Sequence, residues 1–417
     1  MNQQSPDLCD ADPQALTIAE AQKRISSALC PIATEEIIAC STAMSRVTAE
    51  PVFSPIALPP FRASAMDGYA LRVEDCNSAL KLKGISLAGH PGENKIPAGS
   101  CQRIMTGAVV PDNADAVVQQ ENTTVTGETV KVSQIPTVGL NIRNPGSDCA
   151  KGTCLLEQGC VLGSAELALL AAHGIRKISV KKPLKIAVFS TGDELVDTGE
   201  ERAPGQIYDA NRALLCSLLQ DPAIEVLDLG IARDTTQDVV DTIKQAGAAN
   251  MIISSGGVSV GDADTVRSVL EQRGSINLWK IAVKPGRPLT FATLDNETPY
   301  FGLPGNPVSA GITCLLFVKP AICHLLGIPS ELPPPLTLPL VDPLRKNPGR
   351  VEYQRGRMQC NHNGEWEVST TGLQDSHVLS SLHEANCLIE LPLESQGASP
   401  GERVKVIPFA HFRQNRL

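Results

Sequence analysis

Between residues 183 and 330, short apolar runs alternate with segments of helical periodicity, and this alternation restricts the possible folds more than any other feature. The apolar runs are Lys185–Ser190, Ile224–Leu229, Asn250–Ser254 and Tyr300–Leu303. The helical segments are Ala210–Gln220, Asp238–Ala246, Asp264–Gln272 and Pro307–Leu326. Short apolar runs bounded by glycine-containing turns are typical of buried parallel strands. We therefore predict a doubly wound α/β domain with a parallel sheet.

The rest of the chain predicts further domains. At about 100–200 residues per domain, 417 residues suggest about three or four. Helical patterns at Ala15–Leu29 and Ser164–His173 flank a block of short β elements at about 61–140, so this block is predicted to be an insertion. Five prolines between 332 and 343 indicate a linker, and a small all-β domain is predicted after it.

Composition excludes several classes of partner and site. The net charge is −9 and no run of Lys or Arg exceeds a pair, so the chain lacks the basic stripe of a nucleic-acid-binding protein. The 13 cysteines include no Cys-x-x-Cys, which favours free thiols over a zinc site. Neither a secretory signal nor a run of about 20 apolar residues is present. We therefore expect a cytoplasmic protein that binds neither nucleic acid nor a membrane.

The segment SSGGVSVGDAD (254–264) leaves a predicted strand and enters a predicted helix. Glycines allow the backbone to approach an anion closely, and the free amides at the start of a helix point toward it. The segment matches neither the Walker pattern nor GxGxxG, so ATP-driven phosphoryl transfer and NAD chemistry are not indicated. The alternative to an anion-binding loop is a glycine-rich turn with Asp264 as a plain N-cap.

Acidic side chains follow two of the predicted strands. Asp193 and Glu194 lie in TGDEL (191–195), and Asp234 follows another strand. Carboxylates at one edge of a sheet can hold Mg²⁺, which prefers oxygen ligands and usually bridges to phosphate. The alternative is that these residues lie in solvated turns.

Cations recur in KIAVKPGRP (280–288). If this segment is a strand, Lys280 and Lys284 lie on one face, where two ammonium groups repel each other unless an anion lies between them. The alternative is a solvated basic edge.

A second strand-to-helix turn is predicted at LPGNPVSA (303–310). Asn306 suits the N-cap and Pro307 the first helical position, so helix formation alone explains the motif. Ser309, near the open end of this helix, can also hydrogen-bond an oxyanion. Farther upstream, SAMDGYA (64–70) places Asp67 in a loop that by spacing alone is a turn.

Taken together, these segments resemble the molybdopterin molybdenumtransferase family, whose members include the E domain of gephyrin. The match runs in order from about Pro59 to Pro392. Its motifs are SAMDGYA (64–70), RIMTGA (103–108), NIRNPGSD (141–148), STGDEL (190–195), GQIYDAN (205–211), SSGGVSVGDAD (254–264), WKIAVKPGRP (279–288), LPGNPVSA (303–310), YQRG (353–356) and HVLSSLHEANCLIELP (377–392). SGGVSVGDAD alone is shared with the related adenylyltransferases, but its combination with SAMDGYA and KPGRP is highly specific.

The resemblance implies a multidomain α/β plus β fold with four domains. These are a discontinuous N-terminal linker domain (14–55 and 141–182), an inserted small β domain (56–140), a molybdopterin-binding doubly wound α/β domain (183–330) and a C-terminal small β-barrel-like domain (331–417). It also implies an elongated homodimer, in which the α/β and C-terminal domains of one subunit share a site with the inserted domain of the other.

The implied reaction joins molybdate to adenylylated molybdopterin. The oxyanion is delivered to the dithiolene sulfurs, the adenylate is hydrolysed with release of AMP, and Mg²⁺ or a similar divalent cation assists. Because two anions must be brought together, cationic and amide donors are needed. The implied partners are the molybdopterin adenylyltransferase and the molybdoenzymes or chaperones that accept the cofactor.

The resemblance also assigns roles by motif. The catalytic positions are Asp67, Thr106, Asp148, Glu194, Asp234, Asp264, Lys280 and Lys284, and Glu194, Asp234 and Asp264 are the metal ligands. The positions that bind the cofactor and molybdate are Ser255, Gly256, Gly257, Ser259, Gly261, Lys284, Pro285, Ser309, Arg355 and Ser376. The chain departs from the family at Asp375, where glycine is usual between Gln374 and Ser376.

Two other functions share parts of this pattern. A molybdopterin adenylyltransferase has the same glycine-rich loop, but it is a small single domain and this chain carries about 270 residues more. A non-catalytic scaffold is the third reading, since gephyrin also clusters receptors. Retention of the carboxylates and lysines named above favours the enzyme that inserts molybdenum.

Overall fold

The computed structural model describes residues 15–257, 265–329 and 334–412. The chain divides into two compact units. The larger unit consists of Met1–Glu50, Gln158–Leu167 and Lys177–Leu417, and the smaller of Pro51–Glu157 and Ala168–Arg176. The four-domain boundaries remain a prediction, and the predicted linker domain (14–55 and 141–182) has residues in both units.

The described residues contain helices and strands along their whole length. The α-helices are α1 (Ile18–Ala28), α2 (Ser164–Ala172), α3 (Ala210–Leu218), α4 (Thr236–Gln245), α5 (Thr265–Arg273), α6 (Pro307–Thr313), α7 (Lys319–Leu326) and α8 (Ser380–Glu384). Strands up to residue 181 are β1 (Glu35–Ala39), β2 (Val52–Phe53), β3 (Ala63–Ser64), β4 (Gly68–Leu71), β5 (Leu80–Ser86), β6 (Ser100–Ile104), β7 (Ala116–Gln119), β8 (Thr123–Thr126), β9 (Thr129–Val132), β10 (Ile142–Arg143), β11 (Cys154–Leu156) and β12 (Lys177–Lys181). They are followed by β13 (Leu184–Thr191), β14 (Leu195–Val196), β15 (Ile207–Tyr208), β16 (Ile224–Ala232), β17 (Met251–Ser255), β18 (Gly274–Lys280), β19 (Val283–Lys284), β20 (Pro288–Leu294) and β21 (Pro299–Leu303). The C-terminal strands are β22 (Leu336–Pro339), β23 (Leu344–Arg345), β24 (Val351–Cys360), β25 (Trp366–Thr370), β26 (Cys387–Leu391), β27 (Gly397–Ala398) and β28 (Arg403–Pro408).

The smaller unit is built on a six-stranded sheet with the order β7-β4-β6-β5-β9-β8. Leu71, Leu80 and Val118 belong to its buried core. The predicted block of short β elements is therefore confirmed. Two shorter antiparallel pairs, β2 with β11 and β3 with β10, complete its strands.

Local sequence explains where α1 begins in the larger unit. The Thr17 hydroxyl accepts a hydrogen bond from the Glu20 amide at 3.2 Å, and the Glu20 carboxylate accepts one from the Thr17 amide at 2.8 Å. This reciprocal capping box satisfies two amides that have no partner within the helix. The helix buries Ala21 and Ile25 in the main core of the unit.

A second six-stranded sheet, with the order β16-β13-β17-β21-β20-β18, forms the α/β part of the larger unit. Successive residues of β13 enter opposite cores, since Ile186 and Val188 pack in one cluster and Ala187 and Phe189 in another. Burial on both faces explains why this strand reads as a continuous apolar run. The predicted strand–helix alternation and doubly wound α/β fold are confirmed.

The four predicted strands pair parallel, but the sheet is mixed because it contains one further strand, β20, that runs antiparallel to its neighbours. β20 pairs antiparallel with both β21 and β18. Only residues 295–298 separate β20 from β21, which leaves no room for the helical crossover that parallel strands require. Residues 274–280 and 288–294 were not predicted as strands, although the first segment alternates polar and apolar residues over 275–278.

The predicted long helix from Pro307 to Leu326 contains a π-helical segment, Cys314–Val318, between α6 and α7. Length and composition would allow this helix to cross a membrane, but 78% of its most apolar stretch is buried within the protein. It ends at Gly327, whose φ of +70° is the left-handed conformation of a C-terminal glycine cap. The helix is therefore part of the core of the larger unit.

The C-terminal residues form a third sheet with the order β19-β24-β26-β28-β22, and β25 pairs with β24. The predicted small C-terminal β domain corresponds to this sheet. The linker predicted over 332–343 is wrong in part, because β22 pairs antiparallel with β28. Proline is compatible with this position because β22 is an edge strand.

The sheets also correct the expectation that the segment from Lys280 to Lys284 is a single strand. Lys280 is the last residue of β18 in the α/β sheet, whereas Lys284 belongs to β19 in the C-terminal sheet. The two lysines therefore do not share one face of a single strand. As composition predicted, the described cysteines are free thiols.

Candidate active site

A cavity of about 550 Å³ lies in the larger unit, where several loops of the α/β and C-terminal sheets meet. Its lining residues come from the turn after β17, the segment that follows β19, the turn before α6, and two C-terminal loops. They are Gly257, Lys284, Pro285, Gly286, Arg287, Pro288, Pro304, Gly305, Asn306, Ser309, Arg350, Gln374, Asp375 and Ser376. The cavity thus collects Gly257, Lys284, Pro285, Ser309 and Ser376 from the predicted site.

The glycines after β17 allow two loops to pass closely. A Cβ atom on Gly256 would lie 2.5 Å from the carbonyl oxygen of Thr191, and one on Gly257 would lie 2.6 Å from Val266 Cγ2. Both glycines have positive φ, +89° and +64°. Larger residues are therefore excluded here by sterics and by backbone conformation. Ser259, Gly261 and Asp264 lie outside the described residues.

Ser255 connects the two strand-to-helix turns. Its hydroxyl accepts a hydrogen bond from Asn211 Nδ2 at 2.7 Å, and the same amide group donates to the carbonyl oxygen of Gly305 at 2.7 Å. Ser255 is 1% exposed, so in this arrangement its side chain joins the turns together beneath the cavity. Asn211, which lies in the GQIYDAN motif, was given no role by sequence reasoning.

The turn before α6 is tied to the loop that carries Ser376. Asn306 occupies the predicted N-cap and Pro307 the first turn, but the Asn306 side chain does not cap the helix. Its Nδ2 instead donates to Ser376 Oγ at 2.9 Å, and the Val308 amide donates to the Ser376 carbonyl at 3.2 Å. Ser309 and Ser376 thereby line the same cavity.

Lys284 lines the cavity with its side chain 47% exposed. Its Nζ lies 3.4 Å from Oε2 of Glu352, a carboxylate whose side chain is only 4% exposed. Lys284 and Glu352 are register partners in the parallel pair of β19 and β24. Sequence reasoning missed Glu352, which directly precedes the YQRG motif. Lys280 does not line the cavity.

Arg355 is 1% exposed and does not line the cavity. Its Nε donates to Ser381 Oγ at 3.0 Å, and its Nη2 donates to the carbonyl oxygen of Asp375 at 3.2 Å. Burial lowers the pKa of the guanidinium to about 10, against the opposing effect of the nearby Glu352 and Asp375 charges. Arg355 thus holds the loop that carries Ser376, and its direct contact with an oxyanion remains a prediction.

The unusual Asp375 does not strain this loop. Glycine at 372 adopts a φ of +87°, whereas Asp375 is not among the residues with positive φ. An L-amino acid is therefore accommodated at 375 without the left-handed conformation that favours glycine. Its carboxylate adds negative charge to a cavity whose other charged lining residues are the cations Lys284, Arg287 and Arg350.

Carboxylates gather at the same edge of the α/β sheet but outside the cavity lining. The Asp234 amide donates to Asp193 Oδ1 at 3.3 Å, and a Cβ on Gly192 would lie 2.6 Å from Glu194 Oε2. Burial raises the pKa of Asp234, and the negative charges of Asp193 and Glu194 raise it further. In residues 15–257, 265–329 and 334–412, no three His, Cys, Asp or Glu side chains are placed to hold a metal ion.

Three family descriptions match most of the chain. They are the MoeA N-terminal region (domain I and II) over residues 16–174, a probable molybdopterin binding domain over 187–324, and the MoeA C-terminal region (domain IV) over 337–409. The chain is 42% identical over 403 residues to the molybdopterin molybdenumtransferase of Haemophilus influenzae, covering 95% of this chain and 99% of that protein.

The chain belongs to the molybdopterin molybdenumtransferase family. It is an enzyme of that family, and further relatives agree. Gephyrin of Dictyostelium discoideum is 35% identical over 89% of this chain and 59% of its own length. The molybdopterin biosynthesis MoeA protein of Pyrococcus horikoshii matches with a TM-score of 0.79 at 30% identity, over 95% of this chain and 99% of that one.

The resemblance to the family predicts catalytic roles for Asp67 and Thr106 of this chain, which lie in the smaller unit. The structure brings these two together, since Asp67 Oδ1 accepts hydrogen bonds from the Thr106 amide at 2.7 Å and from its hydroxyl at 2.8 Å. These hydrogen bonds lower the pKa of Asp67. Asp148 lies on a separate loop, where its amide donates to the Leu58 carbonyl at 3.0 Å. The catalytic roles of all three remain predictions.

Proposed function

We propose that this enzyme transfers molybdenum from molybdate to adenylylated molybdopterin and hydrolyses the adenylate, releasing AMP, in molybdenum cofactor biosynthesis. The observation that carries the proposal is the lining of the 550 Å³ cavity, where Lys284, Arg287 and Arg350 meet the hydroxyls of Ser309 and Ser376. In a protein of net charge −9, such a concentration of cations and hydroxyl donors is suited to an oxyanion.

The two turns that meet at the cavity suit the larger substrate. Gly256 and Gly257 bring the backbone after β17 close to the end of β13, and open α/β sheets bind ligands at the carboxyl ends of their strands. We place the adenylylated molybdopterin along this edge, with molybdate held by Lys284 and Ser309. No described side chain is positioned as an obvious nucleophile, so water attacks the phosphoanhydride phosphorus and AMP leaves.

We propose that a divalent cation binds at the carboxylates beside the cavity, where the described side chains alone do not complete a set of three ligands. Burial and then the negative charges of Asp193 and Glu194 raise the pKa of Asp234, and carboxylate oxygens are the ligands that Mg²⁺ prefers. We propose that Glu194 and Asp234 hold the ion together with Asp264, which lies outside the described residues. The bound ion would neutralise phosphate charge during hydrolysis.

The proposal extends to assembly and location. We propose a cytoplasmic homodimer in which Asp67, Thr106 and Asp148 serve the same reaction. Its substrate would come from a molybdopterin adenylyltransferase, and its product would pass to molybdoenzymes or their chaperones. The acidic net charge supports the expectation that neither nucleic acid nor a membrane is bound.

The test is release of AMP by the purified chain. Adenylylated molybdopterin is incubated with molybdate and Mg²⁺, and AMP is quantified by chromatography. We expect AMP release that requires the enzyme and is stimulated by molybdate. Omission of molybdate and addition of a chelator are the controls. Intact substrate after incubation with folded enzyme would contradict the proposal.

A further inference from the structure

The pairing between Lys284 and Glu352 raises a question about the cavity. Lys284 is one of the cations that line it, yet its ammonium group already has an anionic partner at 3.4 Å. An ammonium group beside a carboxylate attracts a second anion less strongly than a free one does. The pair therefore bears directly on how tightly the cavity holds an oxyanion.

Glu352 is fixed in place by its surroundings. Gln354 lies two residues along β24, on the same face of the strand, and its Nε2 donates to Glu352 Oε1 at 3.0 Å. The other carboxylate oxygen faces Lys284. Glu352 as a whole is 3% exposed, so the carboxylate cannot turn out into water. An anion bound by Lys284 must therefore compete with the fixed Glu352 carboxylate for the Lys284 ammonium group.

The nearby Lys346 does not relieve this competition by hydrogen bonding. Its ammonium group donates to the carbonyl oxygens of Pro392, Leu393 and Ser395 at 2.8, 3.0 and 2.9 Å. Those three acceptors use the three protons that an ammonium group carries. Lys346 and Arg355 act on Glu352 through their charges, whereas Lys284 both forms an ion pair with Glu352 and lines the cavity.

We propose that Glu352 is an affinity-determining residue, whose buried carboxylate competes with a bound oxyanion for the Lys284 ammonium and keeps the binding of tetrahedral dianions weak. This inference rests on the proposed function of the cavity as a molybdate site. Weak ground-state binding suits a site that must hand its oxyanion over, because tight binding of the substrate alone does not accelerate the reaction. Glu352 does not touch the substrate and acts through Lys284.

The experiment measures binding of molybdate to the full-length chain by equilibrium dialysis, with sulfate as a second tetrahedral dianion. Glu352→Gln retains the shape of the side chain and removes its charge. We expect this variant to bind both dianions about tenfold more tightly, since Lys284 is then free for the ligand. Its kcat for AMP release should fall while its KM for molybdate falls too, a split that loss of structure would not produce.

Glu390→Gln is the matched control. Glu390 lies on β26 and pairs with Lys405 at 3.3 Å. It is the register partner of Tyr353, next to Glu352, so its side chain points to the opposite face of the sheet. Its neutralisation should leave molybdate affinity unchanged. Equal or weaker binding by Glu352→Gln, with the thermal midpoint near that of wild type, overturns the proposal.

Two further variants make the outcome decisive. In a Lys284→Met background, Glu352→Gln should improve affinity much less, and a full tenfold gain there would show that Glu352 does not act through Lys284. If the Gln variant does not fold, Glu352→Asp carries the test, with a smaller gain expected because its carboxylate is withdrawn by one methylene. Wild-type protein that neither binds molybdate nor releases AMP would overturn the proposed function as well, whereas normal wild-type values with unchanged variants would overturn this inference alone.

Discussion

Two charged regions lie at the same edge of the α/β sheet and are built in opposite ways. In the cavity, the cation Lys284 is already paired with the buried carboxylate of Glu352. In the acidic cluster, Asp193, Glu194 and Asp234 lie close together, and burial with the neighbouring negative charges raises the pKa of Asp234. The first region presents positive charge that is partly neutralised in advance, and the second presents negative charge that repels itself. On the proposed function, the cavity would therefore bind an anion weakly, and a bound cation would relieve the repulsion within the cluster.

The contact between these regions is made by backbone. Thr191, at the end of β13, precedes Gly192 of the acidic cluster, and its carbonyl oxygen faces Gly256 of the cavity turn. Thr191 as a residue is 4% exposed. Its hydroxyl is buried and has no hydrogen-bond partner among the described residues. Close packing of Thr191 against Gly256, and not a hydrogen bond of the Thr191 side chain, therefore fixes the distance between the two regions.

The largest expected effect is loss of activity on removal of the cation Lys284 from the cavity. Lys284→Met removes the cation that we place on molybdate, and loss of one such donor costs about 100-fold in kcat/KM. Steady-state AMP release at varied molybdate measures it. The matched control is Lys405→Met, since Lys405 also pairs with a glutamate, is 58% exposed and lies outside the cavity lining. Equal activity of the two variants would remove Lys284 from the site.

The next prediction tests the backbone contact. Gly256→Ala should destabilise the protein by about 2 kcal/mol and reduce turnover, because its Cβ would meet the Thr191 carbonyl at 2.5 Å. Gly205→Ala is the matched control, since Gly205 has nearly the same φ (+87° against +89°) and nothing within 4 Å of its added Cβ. Calorimetric midpoints of both variants measure the difference. Equal shifts would mean that backbone strain, not the close contact, decides the cost.

The smallest effect concerns the acidic cluster. Burial and the neighbouring negative charges raise the pKa of Asp234, which means that the fold disfavours its ionised form, so stability is lost as pH rises from the ordinary aspartate range through the raised pKa. Asp234→Asn should therefore raise the thermal midpoint at pH 7 without divalent ions, by about 1 °C. Mg²⁺ should stabilise wild type more than this variant.

The control for that measurement has the opposite sign. Hydrogen bonds from Gln237 and Lys244 lower the pKa of Asp241, so its charged form is favoured by the fold. Asp241→Asn should lower the midpoint at pH 7 and leave the response to Mg²⁺ unchanged. A midpoint that falls for Asp234→Asn would show that its neighbours do not destabilise the charge.

Much of the architecture follows from local pattern. The apolar run of β13, the Thr17–Glu20 capping box and the glycine turn after β17 depend on residues close together in the chain. Strand and helix periodicities are local properties, so the alternation predicted a doubly wound α/β region. The same reasoning did not recognise the edge strand β18, although polar and apolar residues alternate over 275–278, which is the period of a strand.

The sequence by itself determined which residue types lie at the ends of the central strands, because turns and helix starts require particular residues. It did not determine that Lys284 leaves the strand of Lys280 to join another sheet, or that its partner is Glu352. Nor did it reveal that Arg355, which was predicted to bind the oxyanion, is buried and holds the loop that carries Ser376. Strand pairing and burial depend on residues that are distant in the chain. Only the tertiary structure therefore decided that the charge of Lys284 is partly neutralised by Glu352 before a ligand binds.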